Sequence, residues 1–446
     1  MNKDKLIPEL RFPEFMNEGE WEEVELGKLK LDVSDGNYSS KYPSQSDFLK
    51  SGVPFIRSNN LKNGTVVDKD MRFISEKQHS EITKGHLKEG DILLSTRGEL
   101  GTVALVPKKH IGSNINAQLV RINTSNILVN IFLFYLLELS RLNKIFDLLS
   151  TGTALKQLPI GKLNQLKLLL PKNKREQQKI ASCLSSLDEV IAAHSQKLAL
   201  LKDHKKGLMQ NLFPQEGDAS TGSAVPKYRF KEFEKDGEWV EKKLGEVFSF
   251  LVTNSYSREN LNYENGQVKN IHYGDIHTKF STLFDITKEK VPFINMDIPI
   301  ERIRQECYCK EGDLIFADAS EDLDDIGKCI EIVNLNSEKL VPGLHTLMAR
   351  QKENLLVVGF GGYLFKSGLV RQQIQKESQG TKVLSISTGR ISDITIIFPK
   401  NPKEQQKIAS CLSSLDALIT AQAEKIEQLK LHKKGLMQGL FPKIND

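Results

Sequence analysis

Several short runs of polar side chains follow apolar segments of the sequence, and these residue types could form paired hydrogen bonds with the edges of DNA bases. An arginine can donate two hydrogen bonds to guanine O6 and N7, and an asparagine or glutamine can bind adenine N6 and N7. Arg97 ends such a segment beside Gly98, where a guanidinium could approach a groove closely. A plain surface turn is the alternative interpretation of each run. The candidates in the first half of the chain are Arg57, Ser58, Asn59, Asn60, Thr96, Arg97, Asn114, Asn116 and Gln118.

The second half carries different polar residues at the positions that we align with these. Residues 271–276 align with residues 56–61, with matching apolar ends and different polar centres. His345 and Thr346 align with residues 117–118. A carboxylate can accept a hydrogen bond from cytosine N4, whereas a lone histidine more often has a structural role. The candidates in the second half are His272, Tyr273, Asp275, Asp318, Ser320, Glu321, His345 and Thr346.

Lysines near a repeated Gly-Thr pair are candidates for contacts with DNA phosphates. Lys156 and Lys382 each follow one copy of this pair. Phosphate contacts orient a protein on the duplex without reading its sequence. The repeated pairs Lys205-Lys206 and Lys433-Lys434 could contact the DNA backbone or partner proteins. Alternatively they lie in solvent at a helix end, where cations are favoured.

Motifs of enzymes that act on nucleic acids are missing from the sequence. It contains no GxxxxGK[ST] motif, which would bind nucleotide phosphates, and no Asn-Pro-Pro-aromatic or Asp-Pro-Pro-aromatic tetrapeptide of an amino-methyltransferase. We interpret the glycine-rich segment 359–362 as a turn. The acidic segment 321–325 fits a solvated loop better than a metal site, with base contact as a further alternative. The five cysteines fit no zinc-binding spacing. We therefore expect no catalytic site and no bound metal.

The composition is that of a globular chain with two or three domains. The chain has 446 residues, of which 39% are hydrophobic and 27% charged. A formal net charge of +5 permits a polyanionic partner without requiring one. The first residues lack the apolar core of a signal peptide, and the apolar stretch 127–139 is too short to span a membrane. We therefore expect a cytoplasmic protein that binds no membrane.

An internal repeat divides the chain into two halves. Residues 176–188 read EQQKIASCLSSLD, residues 404–416 read the same letters, and the heptapeptide HKKGLMQ also occurs twice. A second repeated segment contains Trp21 in one half and Trp239 in the other. Between these blocks the halves diverge. Each half therefore consists of a variable domain followed by a nearly invariant segment.

Short apolar or alternating runs predict strands in the variable domains, so we expect them to mix helices and strands. Residues 129–149 have the pattern of a helix. The predicted strands cover residues 92–94, 103–106, 119–122, 314–316 and 394–397.

Each repeated block predicts a long helix with a coiled-coil seam, because its apolar residues recur at spacings of four and three. Each helix should end near Phe213-Pro214 or Phe441-Pro442, since proline cannot continue a helix. The length is then roughly 55–60 Å. The seam residues are Ile180, Leu184, Leu187, Ile191, Leu198, Leu201 and Leu208 in the first copy and Ile408, Leu412, Leu415, Ile419, Ile426, Leu429 and Leu436 in the second.

One polar residue interrupts each seam near its middle, His194 in the first helix and Gln422 in the second. If the helices pair antiparallel, these two side chains would meet, and a buried polar pair can determine the register. The alternative is that both reach solvent at the edge of the seam. Antiparallel pairing with pseudo-two-fold symmetry would place one variable domain at each end. Because the DNA duplex repeats about every 34 Å, such a chain could bind two different half-sites with untouched base pairs between them.

This organisation resembles the specificity subunit of type I restriction–modification enzymes. The resemblance covers the whole chain, and its most specific feature is the duplicated Pro-x-x-x-x-Glu-Gln-x-x-Ile-Ala start of the long helix. The Gly-Thr, Gly-Asp and Trp-x-x-x-x-Leu-Gly elements support it. The residues that carry it are Pro171, Glu176, Gln177, Ile180, Ala181, Pro399, Glu404, Gln405, Ile408 and Ala409.

The resemblance implies an α+β fold with two tandem α/β target recognition domains joined by two long antiparallel coiled-coil helices. It implies that double-stranded DNA, two modification subunits and restriction subunits are the partners. S-adenosylmethionine, ATP and Mg²⁺ are expected on those subunits and none on this chain, which would catalyse nothing itself but direct adenine methylation and restriction. The corresponding segments are 1–170 (first target recognition domain), 171–214 (first spacer helix), 215–226 (linker), 227–398 (second domain) and 399–446 (second spacer helix).

Two other interpretations stay open at this point. One is a nuclease or methyltransferase with a cryptic site, which the missing motifs disfavour. The other is a stand-alone DNA-binding regulator without enzyme partners. The near-identity of the repeated helices at exposed positions favours docking of partners, although a recent duplication explains it equally well.

Overall fold

The computed structural model describes residues 6–36, 40–153, 155–215 and 225–443, and the chain forms two compact units. Unit 1 comprises Met1–Ser195 and Glu424–Asp446, and unit 2 comprises Gln196–Ala423. Each of the two long helices therefore contributes residues to both units. Most of the predicted linker 215–226 lies outside the described residues.

Unit 1 is built on a six-stranded sheet of order β2-β10-β7-β8-β5-β4, a three-stranded sheet of order β6-β3-β9 and the antiparallel pair β1-β11. Its strands are β1 (Glu22–Glu25), β2 (Asp32–Asp35), β3 (Val53–Ile56), β4 (Leu61–Lys62), β5 (Thr65–Val66), β6 (Arg72–Ile74), β7 (Ile92–Ser95), β8 (Val103–Leu105), β9 (Asn114–Ile115), β10 (Leu119–Asn123) and β11 (Lys167–Leu170). Its helices are α1 (Glu76–Glu81), α2 (Asn130–Leu142), α3 (Ile145–Leu149), α4 (Ile160–Leu163) and the first part of α5 (Lys174–Leu212).

The predicted strands of this unit are confirmed as β7, β8 and β10, and the helical character predicted for 129–149 is confirmed for most of the segment. The segment forms two helices, α2 and α3. Lys144 between them has a φ of 59°, and a residue in this left-handed conformation cannot continue a right-handed helix.

The core of unit 1 forms where α2 packs under the repeated tryptophan. Trp21 is 2% exposed, and its ring lies 5.9 Å from that of Phe132 and 6.1 Å from that of Phe441. Phe441 follows the second long helix, so the end of that helix completes the core of the first unit.

Unit 2 has sheets of order β13-β22-β18-β20-β16 and β14-β17-β15-β21, with the pairs β12-β24 and β19-β23. Its strands are β12 (Val240–Lys243), β13 (Phe248–Leu251), β14 (Leu261–Asn262), β15 (Lys269–Ile271), β16 (Leu283–Asp285), β17 (Phe293–Ile294), β18 (Leu314–Ala317), β19 (Ala319–Ser320), β20 (Cys329–Asn334), β21 (Leu340–Pro342), β22 (Thr346–Gln351), β23 (Leu384–Ser385) and β24 (Thr395–Phe398). Its helices are α6 (Leu244–Val247), α7 (Tyr273–Thr278), α8 (Gly361–Leu364), α9 (Gly368–Glu377), α10 (Thr388–Ser392) and most of α11 (Pro402–Leu440).

The core of unit 2 repeats that of unit 1 with the helices exchanged. Trp239 is 4% exposed and packs against Phe213 with ring centroids 6.3 Å apart. Phe213 follows α5, whereas Trp239 precedes β12. The end of the first long helix therefore completes the second core.

The glycine-rich segment predicted as a turn is a turn at residues 359–360 and begins a short helix at residue 361. Gly361 and Gly362 of the glycine-rich segment begin α8. The backbone N–H groups of Gly359 and Gly362 donate to the buried Glu331 carboxylate at 2.8 and 2.7 Å. These contacts hold both the turn and the start of the helix against Glu331.

The two long helices are confirmed, and their segments are antiparallel within each unit. Both contain 39 residues, and α5 ends directly before Phe213-Pro214 as predicted. In unit 1, Lys433 contacts Asp188 at 2.6 Å, while Leu440 shares a cluster with Ile180. Residue numbers therefore increase along α5 in the direction in which they decrease along α11. The predicted seam residues are all buried or half-buried. His194 is half-buried and Gln422 is 8% exposed; their mutual contact stays a prediction.

An aspartate repeated in both long helices bonds to the other long helix and to a tyrosine of the adjacent domain. Asp188 accepts hydrogen bonds from Tyr135 at 2.7 Å and from Lys433. In unit 2, Asp416 accepts from Tyr363 at 2.8 Å and from Lys205 at 2.5 Å. Burial, the larger cause, and the adjacent aspartate raise the pKa of both tyrosines.

The prediction that Lys205 and Lys433 contact DNA, partner proteins or solvent is corrected in part, since both half-buried lysines form ion pairs within the chain, with Asp416 and Asp188. Their neighbours Lys206 and Lys434 are exposed.

The repeated Glu-Gln pair at each helix start has an internal structural role. Arg11 donates two hydrogen bonds of 2.8 Å to Glu176, and Trp21 Nε1 donates a third at 3.3 Å. Gln177 accepts from the backbone of Val129 at 3.1 Å. Unit 2 repeats this arrangement through Arg229, Glu404, Trp239, Gln405 and Val357. Identity between the helix repeats at these positions therefore follows from packing within each unit.

Candidate nucleic-acid interface

In unit 1, three loops bring several of the predicted polar residues together. Ser58, in the loop after β3, donates a hydrogen bond to Gln118 Oε1 at 3.3 Å. Asn116 donates to the same oxygen at 3.2 Å. The Gln118 side chain is exposed, whereas Asn116 is only 5% exposed. Both hydrogen bonds involve the Gln118 oxygen, so the amide nitrogen of this exposed residue stays available as a donor.

The end of β7 lies beside this group. Thr96 donates from its backbone N–H and from its hydroxyl to the Gln118 carbonyl, at 2.8 and 3.0 Å. Arg97 follows immediately and is exposed. Its guanidinium makes no hydrogen bond or ion pair with any residue that the structure describes. An unpaired guanidinium beside an exposed amide can donate to guanine or to phosphate.

Other predicted residues of unit 1 support the loops from inside. Asn60 is fully buried, and its amide donates to the carbonyls of Val67 and Lys69 at 3.3 and 3.0 Å. Arg57 is half-buried and donates to the Asp70 carbonyl at 2.7 Å. Burial, followed by the nearby charge of Arg72, lowers the pKa of Arg57. A base contact by Asn60 would require the loop to open.

Asn59 and Asn114 lie at opposite extremes of exposure. Asn59 is exposed on the loop after β3, where a base could be reached. Asn114 is fully buried in β9, and its side-chain oxygen contacts the ring of His79. Direct contact of Asn114 with DNA is therefore at odds with its position.

In unit 2, the loop after β15 contains the same local backbone hydrogen bond as the loop after β3. The N–H of Asp275 donates to the His272 carbonyl at 2.9 Å, as the N–H of Asn60 donates to the Arg57 carbonyl at the same distance. This agrees with the alignment of residues 272 and 275 with residues 57 and 60, whereas Leu61 begins β4 and Ile276 lies in α7.

The polar groups of that loop differ in chemistry from those of unit 1. Asp275 is fully buried and forms a bidentate pair with Arg258, with both distances 2.7 Å, while Lys279 lies 2.9 Å away. Burial by itself would raise the pKa of Asp275, but the hydrogen bonds from Arg258 and Lys279 lower it. Burial, followed by the charge of Arg258, lowers the pKa of His272 to about 4. Arg258 was missed from the sequence because its partner is distant along the chain.

The exposed part of the second group consists of Asp318, His345 and Tyr273. The His345 ring lies 3.2 Å from Asp318 through Nδ1, and its centroid lies 5.4 Å from that of Tyr273 in an edge-on arrangement. His345 is exposed, and Asp318 and Tyr273 are half-buried. Burial raises the pKa of Asp318 although His345 opposes this. A carboxylate and an imidazole edge are thus presented where unit 1 presents an amide and a guanidinium.

The alignment of His345 and Thr346 with residues 117–118 is wrong by one position. The Asp318 N–H donates to the His345 carbonyl at 3.1 Å, just as the Thr96 N–H donates to the Gln118 carbonyl. His345 therefore corresponds to Gln118, and Thr346 corresponds to Leu119, which starts β10. The backbone at His345 has a φ of 54°. Residue types do not reveal this conformation, so the sequence alignment missed the correct position.

The remaining predicted residues of unit 2 are divided between interior and surface. Thr346 is 2% exposed and donates to the Gly343 carbonyl, so it supports the turn. Ser320 is 8% exposed and accepts from the backbone of Asp322 at 3.0 Å. Glu321 is exposed. Among the residues that the structure describes, no group of three or more histidine, cysteine, aspartate or glutamate side chains could hold a metal ion.

The two predicted phosphate-binding lysines occupy different positions of equivalent loops. Lys156 is four residues after Gly152 and forms an ion pair of 2.7 Å with Asp147. Lys382 is two residues after Gly380, is exposed, and pairs with no residue in the described ranges. Of the two, Lys382 is the more available to a phosphate.

Comparison with known proteins finds the same organisation elsewhere. A model of the family described as the type I restriction modification DNA specificity domain matches residues 18–203 and again residues 236–431. The chain is 25% identical over 441 residues to the type I restriction enzyme MjaVIII specificity subunit of Methanocaldococcus jannaschii, covering 97% of this chain and 93% of that protein. It is 24% identical over 433 residues to the putative MjaX specificity subunit of the same organism, covering 95% and 93%.

A solved structure has the same fold. The crystal structure of the S subunit of a type I restriction–modification system from M. genitalium matches with a TM-score of 0.58 and 15% identity, covering 98% of this chain and all of that one. None of the helices within the described ranges is both long and apolar enough to cross a membrane.

Proposed function

Because the chain belongs to the type I restriction–modification DNA specificity family, we propose that it recognises a split, asymmetric site in double-stranded DNA and directs partner enzymes to that site. Its function is that of a DNA specificity subunit, and the likeness to named specificity subunits favours this over a stand-alone regulator. Specificity subunits as a family are non-catalytic. The identity of the bases and the partners is the part that we propose.

The observation that carries the proposal is a shared scaffold with different exposed chemistry. The same backbone hydrogen bond joins residue 96 to residue 118 in unit 1 and residue 318 to residue 345 in unit 2. At these positions unit 1 has Thr96 and Gln118, with the exposed Arg97 next in the chain, whereas unit 2 has Asp318 and His345. Two equivalent surfaces with different donors and acceptors suit two different half-sites.

Each surface favours a particular class of base. Arg97 can donate to guanine O6 and N7, and the Gln118 amide nitrogen, whose oxygen already accepts from Ser58 and Asn116, can donate to a base acceptor such as a purine N7. Asp318 can accept from the amino group of cytosine or adenine. His345 can donate or accept through Nε2, since Nδ1 faces Asp318. We expect the first half-site to include guanine and the second to include a base with an exposed amino group.

The long helices support a separation of the half-sites. Each has 39 residues, which corresponds to about 58 Å at 1.5 Å per residue. This exceeds one turn of DNA, which is about 34 Å. We propose that the helices set the number of unread base pairs between the half-sites.

We further propose that two modification subunits bind this chain and methylate adenine with S-adenosylmethionine, and that restriction subunits cleave unmethylated DNA with ATP and Mg²⁺. These cofactors would be bound by the partners and none by this chain. The cytoplasm is the expected location. Family membership supports these assignments.

The test is to co-express the chain with its modification subunit and to map methylated adenines across a genome by sequencing. We expect a bipartite motif with unequal halves. Arg97→Ala should relax the preference in one half, and His345→Ala should relax it in the other, each by about 1–3 kcal/mol. Arg175→Ala, at an exposed arginine near the start of α5 in unit 1, is the matched control and should leave the motif unchanged. A motif that is unaltered in both variants, or no motif at all, would refute the assignment.

A further inference from the structure

Each unit presents an exposed apolar side chain at the same position of the Gly-Thr loop. Leu155 is 89% exposed in unit 1, and Val383 is 55% exposed in unit 2. Both are three residues after the glycine of the loop. A single exposed apolar residue needs no explanation, but its recurrence at one position of two otherwise divergent surfaces does.

The loops that carry these residues have the same construction. In unit 1, residues 151 and 157 exchange two backbone hydrogen bonds, of 2.8 and 3.0 Å. In unit 2, residues 379 and 385 exchange two of 2.9 and 2.7 Å. Gly152 has a φ of +87°, and a Cβ there would lie 2.7 Å from the Leu155 carbonyl oxygen; Gly380 has a φ of +127°, and a Cβ would lie 2.0 Å from the Val383 carbonyl oxygen. Glycine is therefore needed for the backbone to present the apolar tip.

The loop is continuous with the surface proposed to recognise bases. Gln157 forms a β-bridge with Arg97, and the N–H of Leu158 donates to the Thr96 carbonyl at 2.9 Å. In unit 2, the N–H of Ile386 donates to the Asp318 carbonyl at 3.0 Å. The tip is thus tied through backbone bonds to the very residues that face DNA in the proposed function.

We propose that Leu155 and Val383 contact the apolar surfaces of DNA bases beside each half-site, either thymine methyl groups or the face of a base at an unstacked step. This inference rests on the proposed function. Apolar side chains recognise thymine through its C5 methyl group and also enter base steps as wedges that kink the duplex. The nearby cations Arg97, Lys156 and Lys382 suit a polyanion and disfavour an apolar protein surface as the occupant.

The test uses the full chain in complex with its modification subunits and duplexes that contain the mapped motif. Leu155→Ala should weaken binding about tenfold and Val383→Ala about fivefold, because the two substitutions remove three and two apolar carbon atoms respectively. Leu155→Lys should also weaken binding, although it adds a positive charge. Leu431→Ala is the matched control, because Leu431 is 68% exposed on α11 in the same unit; it should bind as the unmodified chain does.

Two DNA probes then distinguish the two base surfaces. Replacing single thymines by uracil should cost the unmodified chain the affinity that Leu155→Ala loses, if the contact is to a methyl group. 2-Aminopurine is substituted at one position at a time, and the methylated adenines are left unchanged. If the contact is to an unstacked base, its fluorescence should increase at one base step. Either result supports the proposal. If uracil substitution costs no affinity and 2-aminopurine shows no brightening, the proposal is overturned.

Failure of this inference can be told apart from failure of the proposed function. If Arg97→Ala weakens specific binding while Leu155→Ala and Val383→Ala do not, only the inference fails. If Leu155→Ala retains DNA affinity but loses modification subunits, the loop binds protein and the inference is again overturned. If the unmodified complex shows no site preference, the proposed function fails. Unchanged melting temperatures in the variants would exclude misfolding as the cause, since both side chains are exposed.

Discussion

Replacing Glu176 with glutamine should destabilise unit 1 by about 3 kcal/mol, because it removes the counter-charge of a buried guanidinium. Arg11 and Glu176 are 5% and 1% exposed, and two hydrogen bonds of 2.8 Å join them. Removing one partner of a buried ion pair costs about 3–5 kcal/mol. Arg11 keeps its bond of 2.6 Å to the Gly19 carbonyl, so the lower end applies. Glutamine retains the shape and can still accept from Trp21, which isolates the charge as the cause.

The assay is calorimetry of the full chain combined with hydrogen exchange, which reports the two units separately. A loss of about 3 kcal/mol corresponds to a melting temperature lower by about 6–12 °C for a unit of this size. Glu404→Gln is the matched variant in unit 2, where Arg229 makes equivalent bonds of 2.8 and 2.7 Å. It should lower protection in the second unit only.

A double variant tests the electrostatic argument. Arg11→Met with Glu176→Met removes both charges, so it should cost less than Glu176→Gln alone. A loss below about 1 kcal/mol for Glu176→Gln, or a double variant as unstable as the single one, would refute the reasoning.

Three further predictions concern acid–base behaviour, a loop and a helix contact. Burial raises the pKa of Glu331 to about 7 although two backbone N–H groups oppose this, so its contribution to the stability of unit 2 is complete below its ordinary pKa of 4.5 and is lost as pH rises through about 7; Glu331→Gln should flatten urea denaturation midpoints across that range. Gly380→Ala should reduce DNA affinity about tenfold or more in a binding titration, because its Cβ would collide with backbone, whereas Gly389→Ala, with nothing within 4 Å, should not. Lys433→Met should lower the unfolding free energy by about 1–2 kcal/mol in a urea titration, because it breaks a half-buried ion pair with Asp188.

Each of these has an outcome that would contradict it. The first prediction would be contradicted if the urea denaturation midpoint of unit 2 rose between pH 4.5 and 7 and if Glu331→Gln abolished that rise. Equal binding by the two glycine variants would remove the steric argument for the loop. A Lys433→Met chain as stable as the unmodified one would show that the ion pair contributes nothing beyond its desolvation cost.

The repeat made a large part of the architecture predictable. Two identical runs with apolar spacings of four and three predicted two long helices, and their ends at Phe213-Pro214 and Phe441-Pro442 followed from the conformational limits of proline. The alignment of residue 56 with residue 271 agrees with the structure, because each isoleucine ends a strand that pairs in parallel, β3 with β9 and β15 with β21. The other apolar ends differ, since Leu61 begins β4 whereas Ile276 lies in α7.

Exposure of the candidate residues was not predictable in the same way. Asn60 and Asp275 are polar residues in polar runs, yet both are fully buried, because Val67, Lys69 and Arg258 supply their partners. Polar type alone does not distinguish a side chain that faces solvent from one that supports a loop.

The sequence by itself determined the duplication, the paired helices and the class of side chains available in each half. Only the tertiary structure decided that Glu176 meets Arg11, that Asp188 meets Lys433, and that His345 rather than Thr346 corresponds to Gln118. The physical reason is that helix periodicity and proline geometry act between near neighbours in the chain. Burial, ion pairing and strand register depend on residues that become neighbours only when the chain has folded.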